Sequence, residues 1–224
     1  MINPPDTVNT HSLLSRPKWA DPQKQVQPRR NRLKVGLTGG IGCGKSTVVE
    51  IFDTAGWLTI RSDAIVRQLL SGDADLIQRL ADRWGQSCLL ASGGIDRKAV
   101  SSIVFADASE LKWLEAQLHP RVRRAWKQQI EAAPKADVVV EIPLLFEKRL
   151  ESSFDFTVCV HSPESLVDSR MEARGYTKEE LTRRRSYQMP IEEKMRRADF
   201  VITNAGNPEF LNQQTAHLFF RFRA

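Results

Sequence analysis

The sequence predicts an α/β fold, a parallel sheet flanked by helices, with a helical substrate-binding insertion and a helical lid. Three observations carry that expectation. Short apolar runs that are near-continuous rather than alternating recur along the chain with helical stretches between them, the pattern of strands buried on both faces. A glycine-rich loop, "TGGIGCGKST" (38–47), stands directly between one such run and a helix. About seventy mostly helical residues separate the second run from the third, too many for an ordinary crossover.

The first strand is "LKVGLT" (33–38), stopped by Gly39, and "TVVEIFDTAG" (47–56) has helical spacing closed by Gly56. "WLTI" (57–60) is the second strand, after which Ser62 and Asp63 open a helical stretch to Leu70. "DVVVEI" (137–142), "FTVCV" (156–160) and "FVIT" (200–203) complete the set. Within the insertion, placed at about 67–133, Leu111, Leu114, Leu118, Val122, Trp126 and Ile130 form one apolar face. Pro120 interrupts that face, and because a proline inside a helix costs about 3 kcal/mol, two helices meeting at His119 and Pro120 are expected. Arg170 and Arg174 share a face of "PESLVDSRMEAR" (163–174), which Gly175 ends. Thr177 and Glu180 form a capping box opening a second helix with Arg183, Arg184 and Arg185. So much guanidinium close to a phosphate loop reads as a lid, about 170–198.

With 224 residues, 41% hydrophobic and 27% charged, the chain can bury a sizeable core. The formal net charge is +6, but residues 1–32 hold six basic residues against Asp6 and Asp21, so +4 belongs to a proline-containing arm without periodicity. That arm carries one aromatic residue, Trp19, which favours a solvated extension over a nucleic-acid surface. Cys43, Cys88 and Cys159 are too scattered for a disulfide framework or structural zinc site, as suits a reducing cytoplasm. No apolar run approaches the roughly 18 residues of a membrane span, and the N-terminus lacks the apolar core of a signal peptide. A cytoplasmic protein is expected.

Gly39, Gly44, Lys45 and Ser46 satisfy G-x-x-x-x-G-K-[ST], and the flanking strand and helix are the context the pattern requires. Gly39, Gly40, Ile41, Gly42, Cys43 and Gly44 let backbone N–H groups converge on phosphate oxygens, and the helix that follows adds its positive end. Lys45 would reach the β and γ phosphates of a bound triphosphate, the Ser46 hydroxyl would ligate Mg²⁺, and Thr47 supports the helix start. The sequence thus predicts the P-loop nucleoside-triphosphate hydrolase/kinase-like class. Cys43 lies where thiolates are favoured, although a small space-filler explains it as well. Asp63, just after the second strand, is placed to accept the proton of an attacking hydroxyl; a helix N-cap is the plainer account. Glu141 ends the third strand where an acid could hold metal through water. Arg170 and Arg174 could offset charge on a transferring phosphoryl group, or simply complement a helix dipole.

Five segments in this order, "GLTGGIGCGKST", "SDAIVRQLL", "LHPRV", "EIPLLFE" and "QMPIEEKMRRADFVITNAG", together resemble the dephospho-CoA kinase family from about Leu33 to about Gly206. The resemblance implies a P-loop kinase that uses ATP and Mg²⁺ to phosphorylate the ribose 3′-hydroxyl of dephospho-CoA, the last step of coenzyme A synthesis. It makes Asp63 the catalytic aspartate, puts Arg67, His119 and Pro120 on the acceptor side, and lets Leu144 and Leu145 contact the pantetheine arm. Arg170, Arg174 and Arg184 fall on its lid arginines, with Gln188 beyond. The family often writes Asp-Ala-Asp where this chain has Arg61, Ser62 and Asp63, so the first acid is missing. The family usually has serine at the position of Cys43.

Other readings leave marks that can be checked. A different P-loop kinase, of a nucleoside or sugar-like alcohol, would share loop, base and lid and differ in acceptor. "ASGGID" (91–96) resembles a transporter-ATPase signature but lies about forty residues before the acid-ended strand, and "TKEE" (177–180) lacks the aspartate of a guanine-reading motif. RNA binding through the arm would be steeply salt-dependent.

Overall fold

The computed structural model describes residues 32–223. The order is β1 (Lys34–Gly39), α1 (Lys45–Thr54), β2 (Leu58–Arg61), α2 (Ser62–Gly72) and α3 (Ala74–Trp84). A short hairpin, β3 (Leu89–Leu90) and β4 (Gly94–Ile95), leads to α4 (Arg97–Ala106) and α5 (Ala108–Ala132). Then follow β5 (Val138–Glu141), β6 (Phe156–His161), α6 (Glu164–Glu172), α7 (Lys178–Ser186), α8 (Ile191–Arg197), β7 (Phe200–Thr203) and α9 (Pro208–Arg223).

The five long strands form one parallel sheet in the order β2-β5-β1-β6-β7, as the apolar runs require. Successive side chains on β5 go to opposite faces: Val139 joins Val35, Leu37, Val48, Val49 and Phe52 on the α1 side, whereas Val138 and Val140 join Ile60, Trp126 and Ile130 on the α5 side. A third cluster, Leu70, Leu76, Leu80, Cys88, Ile95, Val100, Val104 and Leu114, lies within the segment between β2 and β5. Because every long strand is parallel, all five C-terminal ends reach one edge of the sheet, where open α/β sheets place their ligands.

The structure corrects two expectations and places one motif already set aside. Helix α5 runs unbroken through His119 and Pro120, where two helices were expected. The proline removes one backbone donor, but the Arg121 side chain donates to the Gln117 carbonyl (2.9 Å) and pairs with Asp73 (3.4 Å) and Asp75, pinning the disturbed turn to the start of α3. Burial of Leu114, Val122, Trp126 and Ile130 along one face of α5 offsets the local cost. Second, "ASGGID" forms the hairpin turn, with Gly93 at φ +93° and Asp96 capping α4 through the N–H groups of Lys98 and Ala99. Third, Arg32, grouped with the arm, donates to the carbonyls of Ile130 (2.6 Å) and Ala133 (3.1 Å) and so closes the end of α5. The rest of the arm lies outside the described residues. Helix α9 had no sequence expectation; its Phe219 and Phe222 pack on Trp57, and Phe222 also meets Phe156 and Phe200.

Candidate active site

The glycine loop leaves β1 at Gly39, where a Cβ would stand 2.3 Å from the Val160 carbonyl oxygen, so only glycine lets the strand end lie so close to β6. Gly44 holds φ +86°, and a Cβ there would stand 2.1 Å from Asn204 Nδ2. Asn204, just past β7, donates that amide to the Cys43 carbonyl (3.0 Å), while its own carbonyl accepts from the Ser162 hydroxyl (2.6 Å) beyond β6. The ends of β6 and β7 thus brace the loop from behind. Cys43 itself is buried in the core, which suits the space-filling account and leaves little access for an oxidant.

Helix α1 starts at Lys45 after the left-handed Gly44, with no side-chain cap and no acid in its first turn among the described residues. Its first N–H groups and positive dipole end therefore face the crevice. Lys45 Nζ donates to the carbonyls of Gly40 (2.8 Å) and Gly39 (3.3 Å), which curls the side chain over the loop. Burial lowers its pKa from the ordinary 10.5, with Glu141 opposing that shift and the cation of Lys194 adding to it. Glu141, in register with Leu37 of β1 and Arg61 of β2, is raised above the ordinary 4.5, first by burial, with Lys45 pulling it back. The two groups, one at the start of α1 and the other at the end of β5, are electrostatic neighbours.

A cavity of about 1080 Å³ opens from this loop. Ile41, Gly42, Gly44, Lys45, Ser46, Asp63 and Glu141 line one end; Leu111, Leu114, Leu118, His119, Pro120, Trp126 and Leu144 line the other. Asp63 lies in the first turn of α2, exposed to the cavity, and the N-cap position belongs to Arg61, so the capping account of Asp63 fails. Lys112, Arg123 and Lys148 bring cations to the second group of lining residues, and Lys148 pairs with Glu115 (2.8 Å). His119 is held below its ordinary 6.5, first by burial and then by Lys148.

The structure sorts the other expected residues. Leu144 faces the cavity, but Leu145 is wholly buried among Ile60, Trp126 and Phe146 and packs the core instead. Arg67 is exposed and does not line the cavity. Gly40 and Thr47 belong to the loop and first turn without lining it. Arg170, expected at the phosphates, instead donates to the Ser162 hydroxyl (2.9 Å) and the Asn204 carbonyl (3.3 Å), behind the loop. Arg174, Arg184 and Gln188 line the cavity mouth. Arg184 stacks between Tyr176 (5.2 Å) and Phe105 (5.9 Å), and Arg183 lies over Phe105 (5.0 Å), so α7 touches α4 across the opening. Arg185 turns outward to Glu164 (2.9 Å) and Asp168 (2.7 Å), joining α7 to α6. Sequence reasoning missed the bracing pair Ser162 and Asn204; Asn204 stood inside "ADFVITNAG", but nothing in spacing tells that an asparagine after one strand supports a loop after another.

A phosphate cradle and a room for a second small molecule share one crevice here, with arginine-bearing helices across its mouth, and that arrangement defines a P-loop kinase with a small-molecule acceptor. Residues 33–209 match the model of the dephospho-CoA kinase family, and the chain belongs to that family. It is 37% identical over 183 residues to the dephospho-CoA kinase of Enterococcus faecalis, covering 80% of this chain and 92% of the relative. To that of Aquifex aeolicus it is 34% identical, covering 83% and 95%. Among solved structures, the dephospho-CoA kinase of Campylobacter jejuni superposes with a TM-score of 0.65 at 28% identity, covering 85% and 96%. A Thermus thermophilus protein superposes with 0.74 at 33% identity, covering 87% and 100%.

Proposed function

We propose that this protein transfers the γ-phosphoryl group of ATP to the ribose 3′-hydroxyl of dephospho-CoA, giving ADP and coenzyme A. The observation that carries the reading is the cavity in which the loop residues Gly44, Lys45 and Ser46, the exposed carboxylate of Asp63 and a long apolar wall meet. Its volume exceeds that of most drug-sized sites, as an acceptor with an extended arm needs. Leu111, Leu118, Trp126 and Leu144 suit the pantetheine arm, and Lys112, Arg123 and Lys148 suit the acceptor's diphosphate.

The acceptor hydroxyl attacks the γ phosphorus, the bond to the bridging oxygen of ADP breaks, and Asp63 takes the hydroxyl proton. Lys45 and the α1 N-terminus hold the phosphates, and Arg174 and Arg184 meet the charge that spreads over the transferring group. Arg170 acts from behind, fixing Ser162 and Asn204 and through them the loop.

The residues present fit a nucleotide-borne Mg²⁺. Among the described residues no cluster of three or more His, Cys, Asp or Glu side chains could hold an ion by itself, whereas Ser46, Asp63 and Glu141 offer oxygens beside the phosphate loop. Ser46, Asp63 and Glu141 would hold the Mg²⁺, which would supply positive charge to neutralise the phosphates during transfer. Three buried free thiols fit a reducing cytoplasm, and no helix among the described residues is long and apolar enough to cross a membrane.

The test is ADP release by the purified protein with ATP, Mg²⁺ and dephospho-CoA, beside adenosine and buffer controls, with mass detection of product. Coenzyme A formed only with dephospho-CoA supports the reading. ADP without coenzyme A would return the acceptor to the wider class of P-loop kinases.

A further inference from the structure

Lys194 of α8 has no exposed surface, an unusual place for a lysine. Its ammonium donates to the Pro143 carbonyl (2.7 Å) and pairs with Glu147 Oε1 (2.9 Å). The same Oε1 accepts the backbone N–H of Met189 (2.8 Å), at the root of the lid, while Glu147 also lines the cavity. The Pro143 carbonyl accepts a second bond, from the hydroxyl of Thr38 (3.1 Å), the residue of β1 that precedes the first loop glycine. Three parts of the site therefore meet at one buried pair: the strand feeding the phosphate loop, the segment 143–150 that carries Leu144 into the cavity, and the chain that joins α7 to α8. Arg197, one turn further along α8, repeats the grip on that segment by stacking over Phe146 (4.9 Å), and pairs with Glu151 just beyond it.

Stability alone does not explain this choice of residues. A buried ion pair often contributes no more to folding than an apolar pair of similar volume, because desolvation of both charges offsets their attraction. What the pair supplies that leucine and methionine cannot is direction: one carbonyl and one carboxylate oxygen are fixed about a single ammonium, and the carboxylate in turn fixes one backbone N–H. We propose that Glu147, through Lys194 and the Met189 N–H, is a positioning residue that holds the acceptor segment 143–150 and the lid root in one register against the phosphate loop. Closing of the lid over ATP then moves, or locks, the wall against which the acceptor lies. This rests on the phosphoryl-transfer reading above.

The experiment uses the full chain as wild type, as Glu147→Gln, and as the double variant Glu147→Leu/Lys194→Met, which removes both charges together. Each is measured for cooperative melting, for affinity for a non-hydrolysable ATP analogue with Mg²⁺, for kcat and KM with dephospho-CoA, and for amide hydrogen exchange of 143–150 with and without the analogue. The expected result is a folded double variant that binds the analogue within about twofold of wild type. Its kcat/KM for dephospho-CoA should fall on the order of 10²-fold, the size of effect that a misplacement of about 1 Å produces. In the wild type the analogue should slow exchange in 143–150; in the double variant that protection should vanish while protection of the glycine loop remains. Wild-type kcat/KM and retained protection in the double variant would overturn the proposal and leave the pair a packing device. Should the double variant fail to fold, Glu147→Gln, which keeps shape and acceptor oxygen but not charge, decides: a raised KM for dephospho-CoA at unchanged analogue affinity supports the proposal, and an unchanged KM overturns it. If the wild type makes no coenzyme A, the acceptor reading fails, and the exchange arms still decide the coupling.

Discussion

Replacing Gly44 by alanine tests whether the loop is braced by Asn204. Two costs add. A non-glycine residue held at φ +86° costs about 1–2 kcal/mol. The new methyl would also stand 2.1 Å from Asn204 Nδ2, so the amide must swing away and surrender its bond to the Cys43 carbonyl (3.0 Å), which keeps the longer bond from the Ser162 hydroxyl (3.3 Å), a loss of about 0.5–1.5 kcal/mol. The sum, about 1.5–3.5 kcal/mol, should lower the melting temperature by roughly 3–14 °C in a chain of this length. Gly56 provides the control: it has φ +82°, and a methyl added there would meet nothing within 4 Å, so Gly56→Ala carries the conformational cost alone. Thermal and urea unfolding of both variants, with ATP-analogue affinity alongside, separates the contributions. Asn204→Ala placed in the Gly44→Ala background should add little, because the bond it removes is already lost. If Gly44→Ala destabilises no more than Gly56→Ala, or the two losses at 44 and 204 are additive, Asn204 does not brace the loop.

Three further outcomes are expected. Asp63→Asn should keep ATP affinity and lose phosphoryl transfer by roughly 10²-fold or more, measured by single-turnover coenzyme A formation; near wild-type rates would remove it as the base. Pro120→Ala should stabilise α5 by up to about 3 kcal/mol in denaturant unfolding, since the helix already runs through that position; a loss of stability would mean that the proline ring's contacts outweigh the missing backbone bond. Glu141 has a raised folded pKa, so the native state binds more protons than the unfolded chain from its ordinary 4.5 upward, and its contribution falls as pH rises through the folded value. Glu141→Gln should therefore gain stability relative to wild type as pH rises from about 4.5 toward neutrality, and a difference between the two that is flat with pH would contradict the assigned burial.

The strands and the loop were legible because their signals are local. Continuous valine runs such as 138–140 have no solution other than burial on both faces, and four residues fix the phosphate loop. The capping box at Thr177 and Glu180 was legible for the same reason and forms as expected. Pro120 misled because propensity weighs a single residue, whereas α5 is held by four buried side chains spread over 17 positions on one face and by Arg121 reaching to α3. Leu144 and Leu145 could not be told apart, since adjacent residues in an irregular segment have no period to sort them. Asn204, Ser162, Lys194 and Glu147 were invisible as a group because each acts on a residue at least 42 positions away or on an element that only the sheet order brings near.

The acid missing at Arg61 becomes intelligible in the same way. Arg61 ends β2 and its side chain turns toward α1, 3.8 Å from Glu50, and lines a separate groove with Asp53, Thr59 and Gln68; it is Ser62 and Asp63, past the turn into α2, that reach the cavity. The cavity therefore keeps both carboxylates beside the phosphate loop, Asp63 and Glu141. Arginine at 61 still acts on the site at a distance, because its charge lowers the pKa of Glu141, its register neighbour, against the burial that raises it. An acid there would instead add to the burial that disfavours the ionised form of Glu141. In this chain the substitution at 61 thus favours the ionised form of the acid that remains.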